Sequence, residues 1–397
     1  MREMLAPFAL AFAAGWLVSN VGAVAAPMAD AYGVSLAFVG ALAAAAVATH
    51  ALMQLPGGRL VDRYGARTAA IGGLSILVAA DGIGALAAEP ALAVVARLVV
   101  GVGTALCFIA GSDLLRARRA PALALAQGLY GGTAMAGAGL ALALLPQVGH
   151  DASWRVSWLS AAALAAVALV VVALSVARDG VEPRLVASGA QPASVVRDRR
   201  LYRLAVLYTA SYGSSVLVGN WVVTFLERAA RYSAREAGAV GALTLFGGIL
   251  SRPLGGWIVE RRRLLARPVL AAGLLAGAAG TAALALAPPL AACVVASAAV
   301  GIGAGVPFGL VFSSAQRLRP DRPAAAVGFV NFAANAAAVV GVPLVGLTFS
   351  LPGDGRVGLV AVACLWAAAL FVLPPAGALT PSPSPRAGAG LDADAHR

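Results

Sequence analysis

Lysine is absent from this chain: all 29 basic residues are arginine, and only 12% of the 397 positions carry charge. Soluble domains carry roughly 25%, so a solvated globular surface is excluded. The three cysteines, Cys107, Cys293 and Cys364, lie singly within apolar runs. That spacing excludes a disulfide framework or a thiolate metal site and suits small core residues. The three histidines, His50, His150 and His396, are scattered. No nucleophile–base pair or metal constellation surrounds them, which argues against an enzyme and against any cofactor or metal. Acids are scarce as well, at 17, and most sit in loops, tails or at the ends of apolar runs.

What is present is apolar: 60% of residues are hydrophobic and the mean hydropathy is +0.87. Runs near 6–29, 35–56, 68–88, 91–112, 122–145 and 154–177, then 201–226, 237–259, 268–287, 290–315, 323–349 and 357–375, each suit a crossing of a bilayer by about 20 residues. The expected fold is an all-α membrane protein with twelve transmembrane helices in two pseudo-symmetric six-helix bundles. Glu89-Pro90, Pro146 to Asp151 and Pro288-Pro289 punctuate the turns at one side. The bundles are placed at 1–177 and 201–375, with a polar linker at 178–200 and a Pro/Ser/Gly-rich disordered tail at 376–397. With the N-terminus inside, 22 arginines face the cytoplasm and five (Arg155, Arg228, Arg231, Arg235 and Arg356) face out. This bias puts both termini in the cytoplasm and relates the net charge of +12 to topology and lipid rather than nucleic acid. Arg2 and Ala23-Val24-Ala25 loosely suggest a cleaved leader, but the run between them is too long. Alanine and glycine richness with arginine in place of lysine suggests a GC-rich bacterial genome, hence a multi-pass protein of the bacterial cell (inner) membrane.

One stretch occurs twice. Gly58-Arg59-Leu60-Val61-Asp62-Arg63-Tyr64-Gly65-Ala66-Arg67 has the form G-x-x-x-D-R-x-G-x-R, and 198 residues later Gly256-Trp257-Ile258-Val259-Glu260-Arg261 repeats its first half. An echo at half the chain length, in the same place within each half, marks a duplicated bundle with its site between the halves. Glycine admits close helix approach, and an acid can cap a neighbouring helix N-terminus. Asp62 is expected at the start of the span near Pro323, and Glu260 at the start of the span near Pro121. The alternative for the second copy is a solvated basic turn. The full motif resembles the signature loop between the second and third helices of the major facilitator superfamily. The resemblance, with helix count and repeat, covers about 370 residues. It implies that Gly58, Asp62, Arg63, Gly65, Arg67, Gly256, Glu260 and Arg261 gate the cytoplasmic side. Gly128 and Gly137 fit the spacing of a fifth-helix exporter motif of that family, but Ala141-Leu142 stand where its Gly-Pro pair would be.

Charges inside the apolar runs are few. Asp81 lies eight residues before Glu89 and Arg97 eight after it, so antiparallel helices rising about 1.5 Å per residue put both at about 12 Å from the turn. An intramembrane ion pair is expected, either structural or a proton or substrate switch. Arg97-x-x-x-Gly101 also resembles a fourth-helix motif of the family for which a role in proton transfer has been proposed. Arg252 has no acid at its depth; it either snorkels to the interface or faces a cavity and holds an anion. His50 and Gln54 lie one turn apart, and Gln54 is the repeat counterpart of Arg252. Asn20, Tyr130, Tyr212, Asn220, Asn331 and Asn335 add polar groups near mid-span, either as helix–helix bonds or as a binding surface; the resemblance implies that their helices line the cavity. Ser251-Arg252-Pro253-Leu254-Gly255-Gly256-Trp257 and Gly219-Asn220-Trp221 resemble the nitrate/nitrite and cyanate permease branch. That branch's second-helix arginine is absent here, and His50 or Gln54 stands in its region. The expected function is secondary transport of a small organic or inorganic anion by a monomer in the bilayer, with a coupling proton or counter-anion. The alternative is a proton-coupled drug or metabolite exporter using Asp81.

Overall fold

The structure, a computed structural model, describes residues 2–118, 122–176 and 193–373. Most of the expected linker, the whole tail 376–397 and Pro121 lie outside the described residues. The first half runs α1 (Arg2–Ala23), α2 (Ala25–Tyr32), α3 (Leu36–Tyr64), α4 (Ala66–Leu86), α5 (Pro90–Arg118), α6 (Leu123–Ala152) and α7 (Val156–Ser175). A short α8 (Ala193–Val196) precedes the second half: α9 (Arg199–Tyr208), a π-helical turn at Thr209–Gly213, α10 (Ser214–Ala229), α11 (Ala234–Arg261), α12 (Ala266–Ala285), α13 (Leu290–Leu318), α14 (Pro323–Leu347) and α15 (Arg356–Ala368). Among the described residues, ten helices are long and apolar enough to cross a membrane, and Arg356–Val372 adds a shorter apolar one. The expected seventh span is present as α9, the π turn and α10; the first expected span is divided by Val24 into α1 and α2.

Helix ends follow local chemistry. The Ser35 hydroxyl accepts from the Phe38 N–H at the start of α3, and Ser233 with Glu236 forms a reciprocal capping box at the start of α11. Two expectations need correcting. The Gly58–Arg67 motif is not a loop but the last two turns of α3 and the first residues of α4, broken only at Gly65. Gly65 has φ +83°, a conformation that any side chain would strain. Nor does Pro146 end its helix: α6 continues through it to Ala152, as buried membrane helices allow when neighbours satisfy the freed carbonyl.

Packing repeats between the halves. In the first, α5 lies against α3 and α4, α1 against α6, and α4 against α7; in the second, α13 lies against α11 and α12, and α12 against α15. Gly73 meets Gly103 as Gly273 meets Gly303, and Trp158 covers Gly84 as Trp366 covers Gly277. Small residues at these crossings let backbones touch, which is how helices associate where lipid is as apolar as leucine. Two large buried clusters result, one drawn from Ala6 to Val176 with Ala324, the other mostly from Val195 to Ala369. Large apolar residues such as Leu86, Leu174, Leu250 and Leu286 are exposed on the outside, the surface that lipid would cover. Cys107 and Cys293 are buried as expected, whereas Cys364 is exposed. The halves join where α3 packs on α14 and α6 packs on α11 and α13.

Candidate functional site

A cavity opens between the halves, enclosing about 530 Å³ with its mouth included. Its wall comes from α1 (Ala14, Val18), α3 (His50), α5 (Phe108), α6 (Ala134, Met135, Ala138), the seventh span (Tyr208, Tyr212), α11 (Arg252) and α14 (Asn331, Asn335). The alanines leave room, the aromatics supply flat apolar walls, and Arg252, His50 and the asparagines supply directed polar groups. Among the described residues, no aspartate or glutamate lines it.

Arg252 does not snorkel; its side chain turns inward and is 4% exposed. One Nη1–H donates to the Gly131 carbonyl across the seam at 2.9 Å. The guanidinium carbon lies 4.4 Å from the Phe308 ring centre and 5.6 Å from that of Tyr212, so ring faces partly stabilise the cation. Its Nε is buried with no hydrogen-bond partner. A planar guanidinium fork on the wall of a cavity with no acid among its described lining residues is suited to an oxyanion.

Tyr212 stacks on Tyr208 with ring centres 5.2 Å apart at an interplanar angle of 10°. Both belong to the stretch that passes through the π turn, a device that re-aims side chains and recurs at functional sites. The Asn335 amide donates to the carbonyl and side-chain oxygens of Asn331, at 2.8 and 3.1 Å. His50 Nδ1 lies 3.0 Å from the Thr104 hydroxyl and its Nε2 2.6 Å from the Gln54 amide nitrogen. Gln54 thus meets the cavity only through His50.

Besides Gln54, three residues expected to bind substrate do not reach the cavity. Asn20 is wholly buried among helices, donating to the Ser157 carbonyl and accepting from Arg97. Tyr130 is buried with its hydroxyl on the Phe108 carbonyl at 2.7 Å. Asn220 lies on an exposed helix face, bonded to the Val216 carbonyl. Each side chain points toward another helix or the outside rather than into the cavity.

The expected Asp81–Arg97 pair is also corrected. Arg97 turns away and donates to the Leu17 and Leu42 carbonyls and to Asn20 Oδ1. Its guanidinium rests over Trp158. Both Asp81 carboxylate oxygens are buried without a hydrogen-bond partner. Carbonyls on α1 and α3 and the Asn20 side chain satisfy the guanidinium in place of the carboxylate.

Beyond the cavity, the halves meet at the end that carries the basic turns. Asp62, 4% exposed, accepts from the Ala324 and Ala325 N–H groups at 3.1 and 2.9 Å. Glu260 accepts from the Ala124 N–H at 2.7 Å and lies 3.5 Å from Arg317. Each acid therefore caps the first turn of a helix in the opposite half, where unpaired N–H groups and the helix dipole favour negative charge. The glycines permit it: a Cβ on Gly58 would lie 2.6 Å from Ala325 Cα, and one on Gly256 2.8 Å from Leu125 Cα. Arg67 instead ties α4 to the end of α7 through the Val176 carbonyl, within one half. Arg63 and Arg261 are exposed and lie over Tyr64 and Trp257, so neither crosses the seam. Sequence reasoning missed a buried cluster nearby: Gln127 donates to the Ser112 carbonyl and to Gln316 Oε1, and Gln316 donates back to the Ser112 hydroxyl at 3.2 Å. Two neutral amides and a serine on three different helices carry no spacing signal. Tyr208 was also missed, although its position one turn before Tyr212 could have revealed it.

The Major Facilitator Superfamily model matches residues 8–342 and 231–393. The chain is similar to the probable nitrate/nitrite transporter NarK2 of Mycobacterium tuberculosis, in two strains, at 30% identity over 368 residues, covering 87% of this chain and 88% of the relative. Among solved structures, the E. coli fucose:proton symporter FucP superposes with a TM-score of 0.75 at 15% identity, covering 96% of this chain and all of that one. The proton:xylose symporter XylE superposes with a TM-score of 0.70 at 16% identity, covering 93% and 94%. At such identities these two likenesses speak to the fold alone.

Proposed function

Because the chain belongs to the major facilitator superfamily, we propose that it is a secondary transporter that carries a small anion by alternating access. The observation that carries this reading is Arg252: a buried guanidinium on the wall of a cavity with no acid among its described lining residues, between two repeat-related halves. The nitrate/nitrite relative supports an inorganic oxyanion as the substrate class. Residues 1–177 and 201–375 rock about the cavity as two bodies, as repeat-built transporters do. Asp62, Glu260 and their glycines hold the arginine-rich, cytoplasmic side closed, leaving the cavity to fill from outside. The protein works as a monomer in the bacterial inner membrane with both termini in the cytoplasm. The exporter alternative rested on Asp81, which stands outside the cavity lining and so lends it no support. Nitrate counterflow in proteoliposomes tests the proposal. Labelled nitrate should exchange against internal nitrate and the exchange should collapse in Arg252→Gln, whereas undiminished exchange in that variant would sink the anion reading.

A further inference from the structure

A second polar group on the cavity wall is His50, held between two side chains that can each give or take a hydrogen bond. With the Thr104 hydroxyl donating to the Gly101 carbonyl at 3.0 Å, Thr104 accepts from His50 Nδ1–H at 3.0 Å. The Gln54 amide nitrogen, 2.6 Å from Nε2, then donates to the Nε2 lone pair. This arrangement suits a neutral His50. Gln54 Oε1, meanwhile, is buried with no partner. Rotation of that amide about its terminal torsion, which is soft and roughly two-fold, exchanges a donor for an acceptor at Nε2. One side chain thus offers a partner to His50 both without and with a second proton.

We propose that His50 is the proton-binding site of transport and that one proton moves with each anion, in the same direction; this rests on the anion reading of Arg252. The proton adds to Nε2 and turns the imidazole into imidazolium, while Gln54 turns its oxygen to receive the new N–H. The charge balance of the cavity couples the two ligands. Arg252 on α11 is the cation that shares the cavity wall with His50, and Tyr208 and Tyr212 of the seventh span are the remaining titratable groups among its described lining residues. From α14 come only the neutral Asn331 and Asn335, and from α1 only apolar residues. On α5, Arg97 is held by the Leu17 and Leu42 carbonyls; on α3 itself the nearest acid is Asp62, bonded to α14. A second cation beside Arg252 is thus opposed until an anion enters. An anion favours the proton and the proton favours the anion, to the same degree.

The switch also lies on the moving seam. The Gln54 carbonyl abuts Gly328 of α14, so the backbone that carries the amide touches the opposite half. Proton occupancy can therefore be read where the halves slide. The empty carrier returns with His50 neutral and Arg252 unliganded.

The test uses the purified full chain in proteoliposomes with a pH dye inside and nitrate as the probe. An inward nitrate gradient should acidify the lumen with about one proton per nitrate, the capacity of a single imidazole, and an imposed pH gradient should drive nitrate uptake. In His50→Gln, whatever nitrate flux remains should move without protons. A proton-to-nitrate ratio unchanged in His50→Gln would overturn the proposal, as would nitrate flux without protons in the natural protein, which leaves the anion reading standing. Should nitrate not move at all, the anion reading fails and histidine ¹⁵N spectra of the His150→Gln, His396→Gln protein decide the rest. There His50 should convert reversibly to imidazolium as pH falls, and Gln54→Leu should displace that conversion. A His50 that stays neutral throughout, or that ignores Gln54→Leu, overturns the assignment.

Discussion

Asp62→Asn isolates the contribution of one side chain to closing the seam. In the natural protein the two carboxylate oxygens accept separately from the Ala324 and Ala325 N–H groups. Asparagine keeps one acceptor and points an NH₂ group at the other N–H. Hydrogen bonds to a charged partner contribute about 1.5–3 kcal/mol each, and an acid at a helix N-terminus adds ~0.3–1 kcal/mol, more when partly buried. Relief of the buried charge offsets part of this, so the closed state should lose about 2–3 kcal/mol relative to the open one. At 1.4 kcal/mol per tenfold, that is a shift of roughly 30- to 150-fold toward the cytoplasm-open form. Glu260→Gln, at a carboxylate that accepts one backbone N–H rather than two and whose amide oxygen can keep that bond, should shift the equilibrium less. The assay is electron–electron distance measurement between spin labels at Arg59→Cys and Leu264→Cys, both at exposed positions, in protein freed of its three cysteines. A long-distance population should appear in Asp62→Asn and, more weakly, in Glu260→Gln. Unchanged distributions in Asp62→Asn would refute the reasoning, because the bonds would then not govern closure.

Two further outcomes follow from buried polar groups. Arg97→Gln gives up three hydrogen bonds to Leu17, Asn20 and Leu42 and should lower thermal stability by about 2–4 kcal/mol. Asp81→Asn should cost little or stabilise. The double change should show coupling well under the ~3–5 kcal/mol of a broken buried contact pair; coupling of that full size would show that the two side chains touch. Gln316→Leu strands Ser112 and Gln127 without partners on α13 and should destabilise the closed seam by about 1–3 kcal/mol, seen with the same spin labels; short distances as populated as before would contradict it.

Twelve apolar runs, a duplicated motif and arginines crowded on alternate turns were readable because each is a pattern along the chain. Gly58 and Gly256, Asp62 and Glu260 could be placed against the opposite half because the repeat supplied a second reading of the same contact. Arg252 stood out through an absence, since no acid in its half reaches its depth. What the sequence could not supply was rotation about a helix axis. Asn20, Tyr130 and Asn220 face other helices or the outside rather than the cavity, and Arg97 bonds to backbone carbonyls and Asn20 rather than to Asp81. The π turn in the seventh span redirects Tyr208 and Tyr212 by inserting into a regular helix, an irregularity that hydrophobic periodicity does not register. The length of α3 was underestimated for a related reason: its last two turns are polar in sequence, but they are held helical by packing on α14 rather than by lipid.

The claim that Arg252 receives the substrate's negative charge is tested most directly by nitrate binding to purified protein, followed as thermal stabilisation against concentration in the natural, Arg252→Lys and Arg252→Gln forms. Lysine keeps a point charge but not the two-pronged donor fork, so Arg252→Lys should bind with reduced affinity and Arg252→Gln should show almost no stabilisation. Equal affinity in all three forms would contradict the account.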